Sequence, residues 1–473
     1  MGSESSPQPS NEMLSFNATA SVLTPRLGRL AFAGRKPIST PHYIPLASRG
    51  VVPHIAHDVL RDHTDIGSLY VGLEDFVERQ SQKHPPPVYT IPTAHDESAL
   101  RKFVALPDDL LLIMGARREP PIKCPPANTP NSVAIYTSVG FRQLEATQYV
   151  DAVQKLNPDI VIGLADLVLG HTPGNKRRGK MVDRTHAFTT HATGLLYGST
   201  VPENTRSKSA YFAPVLPLEN AQQSIYMDDL ETELRPFISG LALYESASLS
   251  AISEPLGDLP RLLYSAPATP HDILRDVSLG ADLLTIPFMG VCSDAGIALD
   301  FTFPSPNTPT TITQPHDLAF DLWSPSHTID TSALSKSCEC YTCRNHHRAY
   351  IHHLLTAKEM LAWTLLQIHN HHVMDTFFAA IRESISRGTF EADIQTFQRT
   401  YVSELPKPTG QGPRLRGYQL PASGPNQPRR NARAYGKLDD AVEKFAESQS
   451  SLATPDTGAE GLEEHGFGMK EVS

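Results

Sequence analysis

Three cysteines, Cys338, Cys340 and Cys343, stand within six residues of one another in the pattern C-x-C-x-x-C. Thiolate sulfur is a ligand zinc prefers, and a turn carrying three of them can aim all three at one point. A tetrahedral site needs a fourth donor, and histidines follow in number: His346, His347, His352, His353, His369, His371 and His372. His369 comes after 25 intervening residues, at the end of "LAWTLLQIH", where a helix packed back across the turn would present it. Taken singly, each of the others reads as an exposed helix-face histidine. A filled Cys₃His set has no open position for water, so such a zinc would be structural and would not act as a Lewis acid. The bland alternative is three free thiols beside a helix held by packing alone. Cys124 and Cys292 bring the total to five cysteines. An odd count with three crowded together is a poor disulfide framework and a good metal pattern, and it suits a reducing, cytosolic compartment.

The elements that would position these ligands are legible on both sides. From Asn345 to Arg387 there is neither Pro nor Gly. Apolar residues recur there at helical spacing: Ala357, Leu361, Leu365 and Ile368, then Val373, Phe377, Ile381 and Ile385. After Gly388 the pattern continues through Phe390, Ile394, Phe397 and Tyr401. This predicts a zinc-binding helical unit over 336–404. Upstream, short β-rich runs end in turn signals: 134–141, 159–166, 237–243, 261–266 and 282–288. Helical patterns such as 145–156 and 271–280 lie between them. That cadence predicts βαβ units and a parallel sheet, closed as a (β/α)₈ TIM-type barrel over 16–335 with small strands and hairpins at its start. A doubly wound open sheet is the alternative, but no G-x-G-x-x-G follows a strand near the start.

Residues 1–15 read as a disordered leader and 405–473 as a mostly disordered tail, rich in Pro, Gly, Ser and charge, with one short helix near 437–448. Within the tail, 407–437 is basic (Lys407, Arg414, Arg416, Arg429, Arg430, Arg433, Lys437) and 438–473 is acidic. The net charge of −10 excludes a chain that coats nucleic acid indiscriminately, and leaves room for a local basic patch. The start lacks the basic and apolar regions of a secretory signal, and no apolar run of membrane-spanning length occurs. Gly2 and Ser6 match the loose myristoylation pattern, which a polar leader matches by chance as well.

At the cysteine motif and His369-Asn370 the sequence resembles the tRNA-guanine transglycosylase family, whose zinc signature is C-x-C-x-x-C with a His-Asn about 25 residues on. Four further stretches are similar to family segments in the same order: "TPHYIPLASRGVVP" (40–53), "YTSVGFRQL" (136–144), "ISGLALYES" (238–246) and "GADLLTIPF" (280–288). The resemblance covers roughly residues 20–400. It implies a (β/α)₈ barrel with a zinc-bearing insertion, and it singles out His369 with Cys338, Cys340 and Cys343 as the ligands of one structural Zn²⁺.

The departures from the family pattern carry the functional expectation. The resemblance implies an aspartate nucleophile that attacks ribose C1′ and expels guanine, and a second aspartate as general acid/base. Here those positions fall on Thr285 and Thr137. A threonine hydroxyl without an adjacent base is a poor nucleophile, and it cannot buffer a proton near neutral pH. Two glycines of the base pocket have become Val139 and Ser239, and the base-reading aspartate falls near Ala165 or Asp166. Eukaryotic members of the family work as a heterodimer of a catalytic and a non-catalytic homologue. The resemblance thus implies the second role: no catalytic residues, a catalytic queuine tRNA-ribosyltransferase subunit as partner, and tRNA bound through the complex. The reaction supported would be exchange of guanine for queuine at the anticodon wobble position. The expected location is cytoplasmic, with the mitochondrial outer membrane as a peripheral site. The alternative is an active transferase with relocated carboxylates, drawn from Asp282, Asp294 and Asp300. A zinc-stabilised scaffold detached from tRNA is a third reading, against which Gly140, Phe141, Gly240, Leu241 and Ala242 weigh.

Overall fold

A computed structural model describes residues 13–19, 22–77, 85–94, 97–124, 127–137, 140–305 and 315–413. The polar leader with its Gly2 pattern, and the tail from 414 on with its basic and acidic stretches, lie outside the described residues.

Eight parallel strands form the central sheet: β1 (His42–Ile44), β2 (Ser68–Gly72), β3 (Leu111–Gly115), β4 (Ile160–Ile162), β5 (Ala210–Val215), β6 (Gly240–Leu243), β7 (Arg261–Leu263) and β8 (Leu283–Thr285). Each pairs with its sequence neighbours, and β8 pairs with β1. Just past β1 the ring closes on β2: Tyr70 N donates to Pro45 O and Ala47 N to Tyr70 O, each at 3.0 Å. The expected (β/α)₈ barrel is therefore present, and the open-sheet alternative is excluded by that closure. One strand assignment needs correction. Residues 134–141 do not enter the barrel; Ser132–Thr137 pairs with Gly140–Glu145 in a separate hairpin. The barrel instead takes β2, β3 and β5 from apolar runs outside the five singled out by sequence.

Period-two alternation divides the strand side chains between two cores. Ile44, Ile113, Ile162, Phe212, Ala242 and Leu262 fill the barrel interior. A three-stranded antiparallel sheet (Leu14–Ala18, Gly28–Phe32, Ile38–Thr40) supplies Leu14, Leu30, Phe32 and Ile38 to the same core and so plugs its lower end. The alternate residues, such as Leu69, Val71, Leu112, Val161 and Tyr211, face outward into the layer shared with the helices.

The helices are α1 (His57–His63), α2 (Ala99–Phe103), α3 (Ala146–Leu156), α4 (Asn175–Tyr197), α5 (Asn220–Glu231), α6 (Pro270–Ser278), α7 (Pro287–Asp294), α8 (Tyr341–Asn345), α9 (Arg348–Thr356), α10 (Met360–Arg387) and α11 (Phe390–Thr400). Local chemistry sets their ends. Glu145 and Gln148 form a capping box on α3, which stops at left-handed Asn157. Thr269, Pro270 and Asp272 open α6 in the same way. Among the described residues no helix is long and apolar enough to cross a membrane.

The helical stripe read from Ala357 is interrupted. Ala357 caps α9, Lys358 takes a positive φ of 57°, and Leu361 is 43% exposed at the start of the next helix. From there α10 runs unbroken through two cores. Its first half (Ala362, Trp363, Leu365, Leu366) packs with Ala298, Leu322, Leu334, Ile351 and Leu355. Its second half (Val373, Met374, Phe377, Phe378, Ile381) joins the barrel's outer layer together with Phe390, Ile394 and Phe397 of α11. Residues 405–413 lie along the hairpin Ile297–Leu299/Ala319–Asp321, with Gly410 so close to the Trp323 indole that a Cβ would collide with it.

Candidate metal centre and barrel mouth

The C-x-x-C half of the motif is a helix start. Cys340 is the N-cap of α8, and its sulfur accepts the backbone N–H of Cys343 at 3.3 Å. The cap holds Cys340 and Cys343 one turn apart on the same side, and Cys338 approaches from the preceding loop. Across from them stands His369, in the middle of α10 and fully buried. Its Nδ1 lies 3.6 Å from Cys338 Sγ, 3.7 Å from Cys340 Sγ and 3.4 Å from Cys343 Sγ. All four donor atoms fall within 4.8 Å of one another, a grouping that can hold a metal ion. Hydrogen bonds from the Cys338 and Cys340 thiols hold the Cys343 thiol well below its ordinary range, against the opposing effect of desolvation.

The other face of the imidazole is fixed. His369 Nε2 meets Leu299 O at 2.8 Å, an arrangement that places the proton on Nε2 and leaves the Nδ1 lone pair toward the sulfurs. Asn370 completes the attachment: its Oδ1 accepts Leu299 N at 2.9 Å, and its Nδ2 donates to Ser293 Oγ (2.9 Å) and Ile297 O (3.1 Å). Four of the other six histidines are engaged elsewhere, and His371 is buried rather than exposed on the helix face. His371 Nδ1 lies 3.0 Å from Tyr43 Oη, His352 Nδ1 bonds Leu322 O at 2.7 Å, His347 caps α9, and His346 stacks on Tyr350.

At the C-terminal end of the barrel, where enzymes of this fold keep their chemistry, the space is filled. Tyr244 and Tyr264 stack at 5.5 Å, and Tyr70 meets Tyr264 edge-on at 5.7 Å. With Gly115, Arg117, Glu119, Gly163 and Leu164 they line a cavity of about 40 Å³, room for a few waters at the ~10–15 Å³ that each needs. Desolvation pushes the Glu119 carboxyl in this cavity up to about 8. Sequence reasoning missed the three tyrosines and Glu119, because they come from four different loops and strands and carry no local pattern.

Thr137 and Thr285 are both fully buried, and neither is among the residues lining the cavity. Thr285 ends β8 with its hydroxyl unpaired among the described residues. Ser239 is buried beside β6, and Ala165 lines the mouth. Asp166 is a structural anion: its carboxylate accepts Asn128 Nδ2 at 2.6 Å, Arg177 at 2.5 and 2.6 Å, and Arg184 at 3.2 Å. The three carboxylates weighed as replacements sit elsewhere. Asp282, at the lower end of β8, is buried against Arg26 and accepts Arg261 N at 2.8 Å. Asp294 pairs with His54 at 2.9 Å, and Asp300 follows the hairpin strand Ile297–Leu299. None of them lines the mouth.

Fold and site together define a (β/α)₈ barrel bearing a Cys₃His cluster, with its mouth closed by tyrosines. A model of the queuine tRNA-ribosyltransferase family matches residues 22–403, and the chain belongs to that family. Among curated relatives, a protein of Schizosaccharomyces pombe is 33% identical over 410 residues, covering 86% of this chain and 89% of the relative. A Xenopus tropicalis protein is 28% identical over 411 residues (78% and 95%), and a Gallus gallus protein 25% identical over 406 residues (76% and 91%). All three carry the name queuine tRNA-ribosyltransferase accessory subunit 2.

Proposed function

We propose that this chain is the non-catalytic, zinc-carrying subunit of a heterodimeric base-exchange enzyme that replaces guanine by queuine at the wobble position of tRNA. The observation that carries the reading is the pair of buried threonines, Thr137 and Thr285, where the family resemblance expects its two aspartates. Without a carboxylate at either position there is no nucleophile for ribose C1′ and no buffer for the departing base. The saturated Asp166 and the filled mouth point the same way, since a purine needs both a hydrogen-bonding partner and room. The names of the relatives fit an accessory role and supply the expectation of a catalytic partner.

Zinc suits the cluster. With bonds of about 2.3 Å to sulfur and 2.0–2.1 Å to nitrogen, a tetrahedral zinc separates its sulfur and nitrogen ligands by about 3.6 Å. The three sulfur-to-Nδ1 distances bracket that value. Bound there, the ion would have four protein ligands and no water, so what it contributes is cross-linking of α8 and the loop before it to α10. We place the contact with the catalytic homologue on this zinc-bearing unit, and a cytoplasmic location accords with five unpaired cysteines.

The test is incorporation of labelled queuine or guanine into tRNA by the purified chain, alone and mixed with a catalytic homologue. Silence alone and turnover in the mixture support the proposal. Turnover by the chain alone would overturn it and send the search to carboxylates outside the described mouth.

A further inference from the structure

We infer that the loops after β3 and β4, with the first turns of α4, form a cationic rim beside the closed barrel mouth that docks the phosphate backbone of RNA. This rests on the role proposed above and names the surface that would serve it. The two loops form one surface. Gly170, at φ +81°, lies so near the Lys123 side chain that a Cβ would meet Lys123 Cδ at 2.7 Å. Asn128 in the first loop and Arg177 and Arg184 of α4 all converge on buried Asp166. That anion satisfies two of the arginines and pins the loops together. It leaves the remaining cations of the rim uncompensated: Lys123, Lys176 and Lys180 are exposed and have no acidic partner among the described residues. Arg178 gives only its Nε, to Pro173 O at 3.0 Å.

The opposing charges are few. Residues 120–144 and 167–182 contain no Asp or Glu. Asp183 is exposed one turn beyond Lys180, and Glu119 is largely protonated at neutral pH because burial raises its carboxyl to about 8. In a chain of net charge −10, a polyanion can approach only where cations are locally in excess. Unpaired lysines on flexible stems act as point charges for phosphate, whereas arginines locked on Asp166 cannot. The rim also sits at the end of the barrel where this fold recognises ligands, beside a cavity too small to take a base. It is thus suited to hold RNA without reacting with it.

The experiment uses the complex with a catalytic homologue, carrying K123E/K176E/K180E in this chain. Exchange kinetics and direct binding of a labelled tRNA are measured at 50 and 200 mM salt, with thermal melting to check the fold. The expected result is a KM and Kd for tRNA raised roughly tenfold or more, a kcat little changed, and a salt slope shallower by about 2–3, near the ~0.7–0.9 lost per phosphate contact. Lys→Gln changes at the same positions should give a smaller shift in the same direction. An unchanged KM, Kd and slope in the folded variant would overturn the inference. So would tighter tRNA binding on deletion of 438–473 with the reversals silent, since the rim would then face the chain's own acidic tail. If the parent complex shows no exchange, the accessory role fails, while the direct binding measurement still decides the rim.

Discussion

Leu299 commits both backbone groups to one dipeptide, its carbonyl to His369 and its N–H to Asn370. The asparagine beside the histidine thus acts as an anchor that sets the helix against the strand, so that the imidazole is aimed before any metal arrives. Asn370→Ala leaves Leu299 N and Ser293 Oγ without their buried partner. We expect a loss of about 2–3 kcal/mol in chemical denaturation, together with weaker metal retention on dialysis. His369→Ala and Cys340→Ala should each drop the metal content, read by elemental analysis, from about one per chain toward zero, while Cys292→Ala should leave it unchanged. Glu119 makes a pH prediction. Its folded-state carboxyl is raised from 4.5 to about 8 by desolvation, so the folded state favours the protonated form. The associated stability is complete below pH 4.5 and is lost as pH rises through 8. Glu119→Gln should therefore flatten the fall in stability between pH 5 and pH 9, and urea midpoints at the two ends would show it. A variant with the parental pH dependence would mean that Glu119 is ionised throughout.

At the scale of elements, α10 is one helix with two neighbourhoods. Its first half depends on the small core around Trp363 and on the cluster ligands; its second half is part of the barrel's outer wall. Phe377 packs edge-on against Phe301 and Phe303 at 5.2 and 5.7 Å, so Phe377→Ala should cost about 3–5 kcal/mol of global stability. Stripping the metal should act differently. Amide exchange is expected to accelerate over 338–366, where burial is shared among few elements, and to stay slow over 373–385. Uniform acceleration along the whole helix would show that the metal supports the barrel itself.

For the molecule as a whole, the question is whether two missing carboxylates are the sole obstacle to chemistry. The mouth argues that they are not, because Tyr70, Tyr244 and Tyr264 occupy the space and leave about 40 Å³. The double change Thr137→Asp with Thr285→Asp should thus yield no base exchange by the chain alone, measured by labelled guanine incorporation. Recovery of turnover would show that the tyrosines move aside and that the threonines alone silence the barrel.

The sequence determined this protein's repeating and local features. Three cysteines at fixed spacing announced a metal cluster, since ligand type and separation are written along the chain. Strand-and-helix cadence announced the barrel, since burial on both faces demands apolar runs at that period. Residues 134–141 read as a barrel strand but form a separate hairpin, because an apolar run states that it is buried, not which sheet it joins. Position and resemblance already pointed to His369 among the seven histidines, but only tertiary structure shows how it is aimed, because its Nε2 meets the Leu299 carbonyl, 70 residues away. Tertiary structure alone showed Asp166 saturated by Arg177, Arg184 and Asn128, and the mouth closed by three tyrosines from separate loops and strands. Such constellations depend on side chains far apart in sequence meeting in space, and no local spacing encodes that meeting.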